Sequence, residues 1–251
     1  MLGNHTLQAS ESNVQERSTA INTLKVSFIV PVYNEERNVL EVIRRLQALD
    51  VPKQIIVVDD GSFDSTPELL RTFENAPDVV VLTSKLNYGK GTAIRLGLSH
   101  VTGDIVAIQD GDLEYNAQDY IKIIERFSDP NVSVVYGSRF KKGLHAEMPW
   151  RYRVGNLVLR SLANLLYGAN ITDEATAYKA FRRDLITSIP LSCKRFEFCP
   201  EITAKLRKRG HVIHEVPIDY NPRNAAQGKK IKAKDGLIAI ATLVRLRFSE
   251  S

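Results

Sequence analysis

From Val26 onward the chain alternates short, uniformly apolar runs with longer stretches whose apolar positions recur at helical spacing. The runs Val26 to Val32, Gln54 to Val58, Val79 to Leu82 and Ile105 to Gln109 are rich in Val and Ile on successive positions. Each therefore predicts a strand buried on both faces, not one with a wet side. Between them, Glu36 to Leu49, Ser65 to Asn75 and Gly89 to Ser99 carry helical patterns. Strands of this kind separated by helices imply a mostly parallel sheet covered on both sides, the α/β doubly wound arrangement.

In such sheets ligands bind outside the carboxyl ends of the strands. The polar residues gather there: Pro31, Tyr33, Asn34 and Glu35 after the first run, Asp59 to Ser62 after the second, Asn87 to Gly91 after the third. The fourth, IVAIQDGDLEY, empties into Asp110, Asp112 and Glu114. Carboxylates at alternating positions supply hard oxygen ligands of the kind that suit Mg²⁺ or Mn²⁺, and such an ion bridges a diphosphate. Asp-Gly-Asp alone is also an ordinary turn, and Asp64 to Thr66 an ordinary helix cap. Four consecutive strands ending in polar groups on one edge point instead to a nucleoside-diphosphate crevice. Gly89-Lys90-Gly91-Thr92 lacks the earlier glycine of a Walker A loop.

Composition narrows the picture. With 251 residues, 43% of them hydrophobic, the chain suffices for one large domain with extensions. The net charge of +5 conceals an asymmetry: residues 1–138 hold 12 basic and 19 acidic side chains, and residues 139–251 hold 22 and 10. The acids share a half with the metal motif, and the basic half suits a phosphorylated substrate or an anionic membrane surface. No helix-turn-helix, zinc or RNA-binding signature accompanies the charge, which speaks against nucleic acid. Cys193 and Cys199 form no CxxC pair and have no His at ligand spacing, so neither zinc nor a disulfide framework is indicated. A cytoplasmic setting, peripheral at the cytoplasmic face of a membrane, is the expectation. Residues 1–24 read as a flexible polar tail, 25–233 as the catalytic domain and 234–251 as a C-terminal amphipathic helix; no apolar run reaches the roughly 18–20 residues of a membrane span.

PVYNE (31–35), VVDDGS (57–62), NYGKGTA (87–93) and QDGDLEY (109–115) resemble, in this order, the nucleotide-sugar half of family 2 glycosyltransferases with the GT-A fold. YGSRF (136–140), TDEATAYKAFRRD (172–184) and VPIDYNPR (216–223) are similar to the branch that transfers sugars to dolichyl and polyprenyl phosphates. The resemblance spans about Val26 to Phe248 and implies a GDP- or UDP-sugar donor, a divalent cation and inversion at the anomeric carbon. By motif it assigns Asp59 and Asp60 with Tyr33 and Glu35 to the base and ribose of the donor, and Asp110, Asp112 and Glu114 to the metal and diphosphate; Pro31 and Lys90 stand in the same donor loops, and Arg223 with Lys229 lies in a Gly- and Asn-containing stretch suited to close over the donor diphosphate. The family often has Gln or Ser in place of Glu114, and the run Glu174 to Ala177 departs from its relatives.

A lipid monophosphate acceptor is already largely dianionic at neutral pH, its second pKa being about 6, so it needs a cationic clamp more than a base. The resemblance places Arg139 at the acceptor phosphate, with Arg151, Arg153 and Asn156 beside it; Asp112, Arg139 and Arg153 are the catalytic candidates. A hydroxyl acceptor would instead need a carboxylate base, for which Glu174, Asp173 and Glu197 stand ready. A nucleotide-sugar binding module without catalysis is the alternative of another class. Trp150 to Leu166 and Asp235 to Phe248 pair arginines with an apolar side, suiting a membrane surface or a homodimer interface equally.

Overall fold

The computed structural model describes residues 23–143, 148–223 and 233–249. Lys229 and most of the expected N-terminal tail lie outside them. Seven strands form one sheet: β1 (Val26–Val32), β2 (Lys53–Asp59), β3 (Val79–Thr83), β4 (Ile105–Ile108), β5 (Val134–Ser138), β6 (Lys179–Arg182) and β7 (His214–Pro217). Their spatial order is β3-β2-β1-β4-β6-β5-β7. Helices α1 (Val39–Gln47), α2 (Thr66–Leu70), α3 (Lys90–Leu98) and α4 (Asp119–Glu125) join the first strands; α5 (Trp150–Tyr167), α6 (Arg183–Ser188), α7 (Phe198–Lys208) and α8 (Ala233–Phe248) follow.

Three of the four apolar runs, β1, β2 and β4, are buried on both faces; β3 is the edge strand of the sheet, and beyond Val79 its residues are half-buried or exposed, against the expectation of burial on both faces. Along β1, Phe28, Val30 and Val32 face one cluster with Val42, Ile43 and Leu46 of α1, while Ile29 faces the other with Ile94 of α3. In β2, Ile55 and Val57 join the first cluster, Ile56 and Val58 the second. The side-chain period of two on a sheet sandwiched between helices makes this unavoidable.

One strand breaks the parallel pattern. β6 runs antiparallel to both β4 and β5, with Lys179 opposite Ile108 and Tyr136. Its first residue therefore meets the carboxyl ends of its neighbours, and the loop that precedes it opens on the same edge as the loops that follow β1, β2 and β4. β7 runs parallel to β5, pairing Ser138 with Pro217, so the chain after Pro217 leaves at that edge too. An isolated bridge, Tyr115 to Tyr220, then ties it to the loop after β4.

Candidate functional site

Beside the ends of β2 and β3, two turns need glycine. Gly61 has φ +73°, and a Cβ there would lie 2.6 Å from the Leu86 carbonyl carbon; Gly89, φ +101°, caps α3, and a Cβ would lie 2.4 Å from the Lys194 oxygen. Asp60 holds this second turn: its carboxylate accepts from the backbone N–H groups of Tyr88 at 2.9 Å and Gly89 at 2.7 Å. Burial raises the Asp60 carboxyl, against those two bonds. Asp59 is fully buried; its Oδ1 accepts from Ser62 N–H at 3.0 Å, and its Oδ2 has no partner among the described residues. Tyr33 packs edge-on against the exposed Phe63, with centroids 6.0 Å apart. Pro31, at the end of β1, pairs with Val58.

The acidic loop after β4 rests on stacked tyrosines. Tyr120 and Tyr115 lie on either side of the Tyr178 ring, at 4.2 and 4.6 Å between centroids. Tyr120 donates to the Ile108 carbonyl at 2.6 Å, Tyr178 donates to Gln109 Oε1 at 2.9 Å, and the Gln109 amide donates to the Asp110 carbonyl at 2.7 Å. None of these tyrosines was among the expected site residues. An aromatic in a buried run reads as core, and these are core; their hydroxyls do the orienting.

Each acid of the loop has a partner. Lys90, the first residue of α3, bonds Asp110, and this neighbour more than offsets the effect of burial, leaving the ammonium raised. Asp112 Oδ2 accepts from Arg223 Nη2 at 2.5 Å. Burial, with Asp110 and Glu114 nearby, pushes the Asp112 carboxyl up to about 7 despite Arg223. Glu114, expected at the metal, also clasps the segment after β7: its carboxylate accepts from the Tyr220 hydroxyl at 2.9 Å and from Arg223 N–H at 2.9 Å. Glu35, expected at the donor, lies 3.5 Å from Arg223 Nη1, beside these acids.

No three His, Cys, Asp or Glu side chains among the described residues converge as a cation cage. A hard cation such as Mg²⁺ is usually held by one or two carboxylates and completed by substrate phosphate oxygens and water. Asp110 and Asp112 fit this demand: each already holds a cationic side chain, so each attracts positive charge.

Just beyond β5, Arg139 is buried and forked onto Asp173: Nε to Oδ2 at 2.7 Å and Nη2 to Oδ1 at 2.8 Å. Its guanidinium also lies 4.9 Å from the Tyr220 ring centroid. Asp173 is in turn fixed by its loop. Glu215 accepts from the N–H groups of Thr172 and Asp173 at 2.9 and 3.1 Å. Asn156, expected at the acceptor, is committed to that loop: Oδ1 accepts from Glu174 and Ala175 N–H, and Nδ2 donates to the Thr172 carbonyl. Arg151 is exposed and lies over its neighbour Tyr152; Arg153 is half-buried one residue further along α5.

Of the three acids considered as bases, two are held by structural bonds and the third is sealed in the core. Asp173 holds Arg139. Glu197 accepts from the backbone N–H groups of Lys194 and Arg195 at 2.8 and 3.1 Å. Glu174 is sealed at 0% exposure beside Lys179 and Thr203, and neither of its oxygens completes a hydrogen bond. Burial pushes its carboxyl up to about 8, with Lys179 pulling the other way.

This raised value makes a stability prediction. The folded state keeps a proton that the unfolded chain releases above its ordinary range near 4.5, so this contribution is lost as pH rises from there to about 8. Glu174→Gln removes the loss. Its melting temperature is expected to match the wild type near pH 5 and to exceed it by an increasing margin up to pH 8, corresponding to a few kcal/mol at about 1.4 per pKa unit. An equal difference at both pH values would rule this out.

Comparison with known proteins follows the same lines. The profile of glycosyl transferase family 2 matches residues 27–189. The undecaprenyl-phosphate 4-deoxy-4-formamido-L-arabinose transferase of Sodalis glossinidius is 29% identical over 218 residues, which cover 84% of this chain and 64% of that protein. The UDP-N-acetylglucosamine–dolichyl-phosphate N-acetylglucosaminyltransferase of Methanococcus voltae is 30% identical over 227 residues, 82% of this chain and 90% of that one. Among solved structures, Mycobacterium tuberculosis glucosyl-3-phosphoglycerate synthase with Mn²⁺, UDP and glucosyl-3-phosphoglycerate superposes with a TM-score of 0.73 at 20% identity, covering 95% of this chain and 85% of that chain. The same enzyme with Mg²⁺ and UDP gives 0.73 at 21%.

Proposed function

This chain belongs to glycosyl transferase family 2, and from that premise we propose that it is an inverting, divalent-cation-dependent glycosyltransferase that moves a sugar from a nucleoside diphosphate to a polyprenyl monophosphate. Its fold is the GT-A fold. The observation that carries the reading is the meeting, on one sheet edge, of the Asp110–Asp112 pair and the Asp173-oriented Arg139, bridged by Tyr220. One side suits a metal-bound diphosphate and the other an anionic acceptor. Both curated relatives act, by name, on polyprenyl-type phosphates.

Asp110 and Asp112 would hold the cation, which when bound neutralises charge on the departing diphosphate. Asp59 Oδ2, buried and unpaired, offers an acceptor to an N–H or O–H of the donor nucleoside; leaving it unmet costs about 1–3 kcal/mol. Lys90 and Arg223 bring positive charge to the diphosphate. Arg139, held in plane by Asp173, presents its remaining N–H groups to the acceptor phosphate. A phosphate monoester attacks as the anion it already is, so neither the commitment of Asp173 and Glu197 to structural bonds nor the sealing of Glu174 in the core removes anything the reaction needs.

A polyprenyl acceptor is presented at a bilayer, and α5 and α8 pack together with an apolar side turned outward. Leu157, Val158 and Leu165 of α5 and Leu237, Ile238 and Val244 of α8 are exposed, while Leu243 of α8 is buried in the core. No helix among the described residues is long and apolar enough to cross a membrane. This geometry supports a peripheral contact, with arginines such as Arg151 and Arg247 toward anionic headgroups.

The test uses purified protein, Mn²⁺, and a panel of GDP- and UDP-sugars with and without a short polyprenyl phosphate in anionic vesicles. Nucleoside diphosphate release that depends on the lipid phosphate, together with co-flotation of the protein with the vesicles, is expected. Release without the lipid phosphate, drawn instead by a soluble hydroxyl compound, would overturn the acceptor assignment.

A further inference from the structure

Arg223 occupies the place where a cation is wanted. Its guanidinium lies 2.5 Å from Asp112, 3.5 Å from Glu35 and 3.7 Å from Glu114, each contact from a different nitrogen. Its position is set by the backbone: Glu114 accepts from Arg223 N–H at 2.9 Å and from the Tyr220 hydroxyl at 2.9 Å, and the Glu114 carbonyl accepts from Asn221 N–H at 2.8 Å. The carboxylate of the acidic loop that stands nearest the return segment thus fastens that segment so that its arginine covers Asp112.

We infer that Arg223 is a resident counter-cation of the acid cluster, competing with the divalent ion for Asp112, so that the ion enters efficiently only together with a diphosphate that draws Arg223 onto itself. This rests on the donor and metal reading above. Around the cluster stand four carboxylates, Glu35, Asp110, Asp112 and Glu114, with Lys90 and Arg223 as their cationic partners. A divalent ion arriving alone meets two fixed positive charges within a few ångströms and must displace one from a short, largely buried pair. A divalent ion arriving with a diphosphate brings its own anion, which accepts the forked guanidinium as well as Asp112 does. The arginine moves from carboxylate to phosphate without being left unpaired. Lys90 is less free to do this, because it sits at the first position of α3. The consequence is a site guarded against bare cations and ordered toward the loaded donor.

The experiment measures Mn²⁺ binding to the full chain, by the electron paramagnetic resonance signal of free Mn²⁺, without nucleotide and with GDP or UDP. Without nucleotide, Arg223→Gln is expected to bind Mn²⁺ about tenfold or more tightly than the wild type, since one opposing charge at contact distance is removed. Adding Asp112→Asn to that variant should abolish the gain, which places the ion at Asp112. With nucleoside diphosphate present the advantage should vanish. Arg223→Lys keeps the charge but not the fork, and should fall between the two; if Arg223→Gln does not fold, this ordering alone decides. Nucleotide-free affinity no higher than wild type in either folded variant overturns the inference while leaving the functional reading intact. Failure of the wild type to bind Mn²⁺ even with either nucleotide overturns that reading and the inference with it.

Discussion

Replacing Asp112 by Asn is expected to lower sugar transfer by about 10²–10³-fold, the loss typical of removing one electrostatic contact to a leaving group, while leaving the fold in place. The two halves of this expectation come from the same surroundings. Burial first, and then the neighbouring Asp110 and Glu114, push the Asp112 carboxyl up to about 7, so the folded chain already resists full charge there. An uncharged isostere relieves that repulsion at the expense of one bond from Arg223. Melting temperatures of the two proteins near pH 7 should therefore lie close together, and the change should appear in turnover and in Mn²⁺ dependence. Unimpaired turnover with the usual metal requirement would show that Asp112 does not serve the metal.

Replacing Arg139 by Ala is expected to affect both stability and acceptor use. Asp173 is fully buried and would lose its forked partner; removing one member of a buried pair typically costs about 3–5 kcal/mol. Arg139→Lys separates the two roles. It keeps a positive charge near Asp173, so the fold should survive, but an ammonium cannot hold the carboxylate in plane and present a second edge to a phosphate. Its apparent KM for the lipid phosphate should rise by about 10- to 100-fold, the worth of one charge-assisted hydrogen bond, with donor binding unchanged. An equal loss of donor affinity would move Arg139 out of the acceptor site. The companion variant Asp173→Asn should reproduce the KM effect without touching the arginine, because the orienting carboxylate is then gone.

Much of the fold is legible in the order of residues alone. Both-face burial of β1, β2 and β4 follows from unbroken Val and Ile runs, and the helices between them fall within a few residues of their periodic patterns. The acidic edge is legible because the loops after β1, β2 and β4 carry their polar residues next to the strands that aim them. The C-terminal amphipathic helix is legible too, as α8, although half of its apolar side is spent on α5 and α7 and not on a bilayer.

What the sequence by itself determined is therefore local: which segments bury two faces, which bury one, and which strand ends carry charge. Such features depend on neighbours two to four residues away, and a single chain displays them directly. The tertiary structure decided who meets whom across the edge. Arg139 finds Asp173 across 34 residues, Tyr220 finds Glu114 across 106, and Arg223 reaches Asp112 across 111 and Glu35 across 188. These meetings hinge on β6 entering antiparallel between β4 and β5, and on β7 pairing with β5. Strand order and direction are settled by packing of the whole sheet, a property no local run of residues contains. For that reason the sequence alone shows neither that Asp173 aims an arginine nor that Glu114 holds another in place.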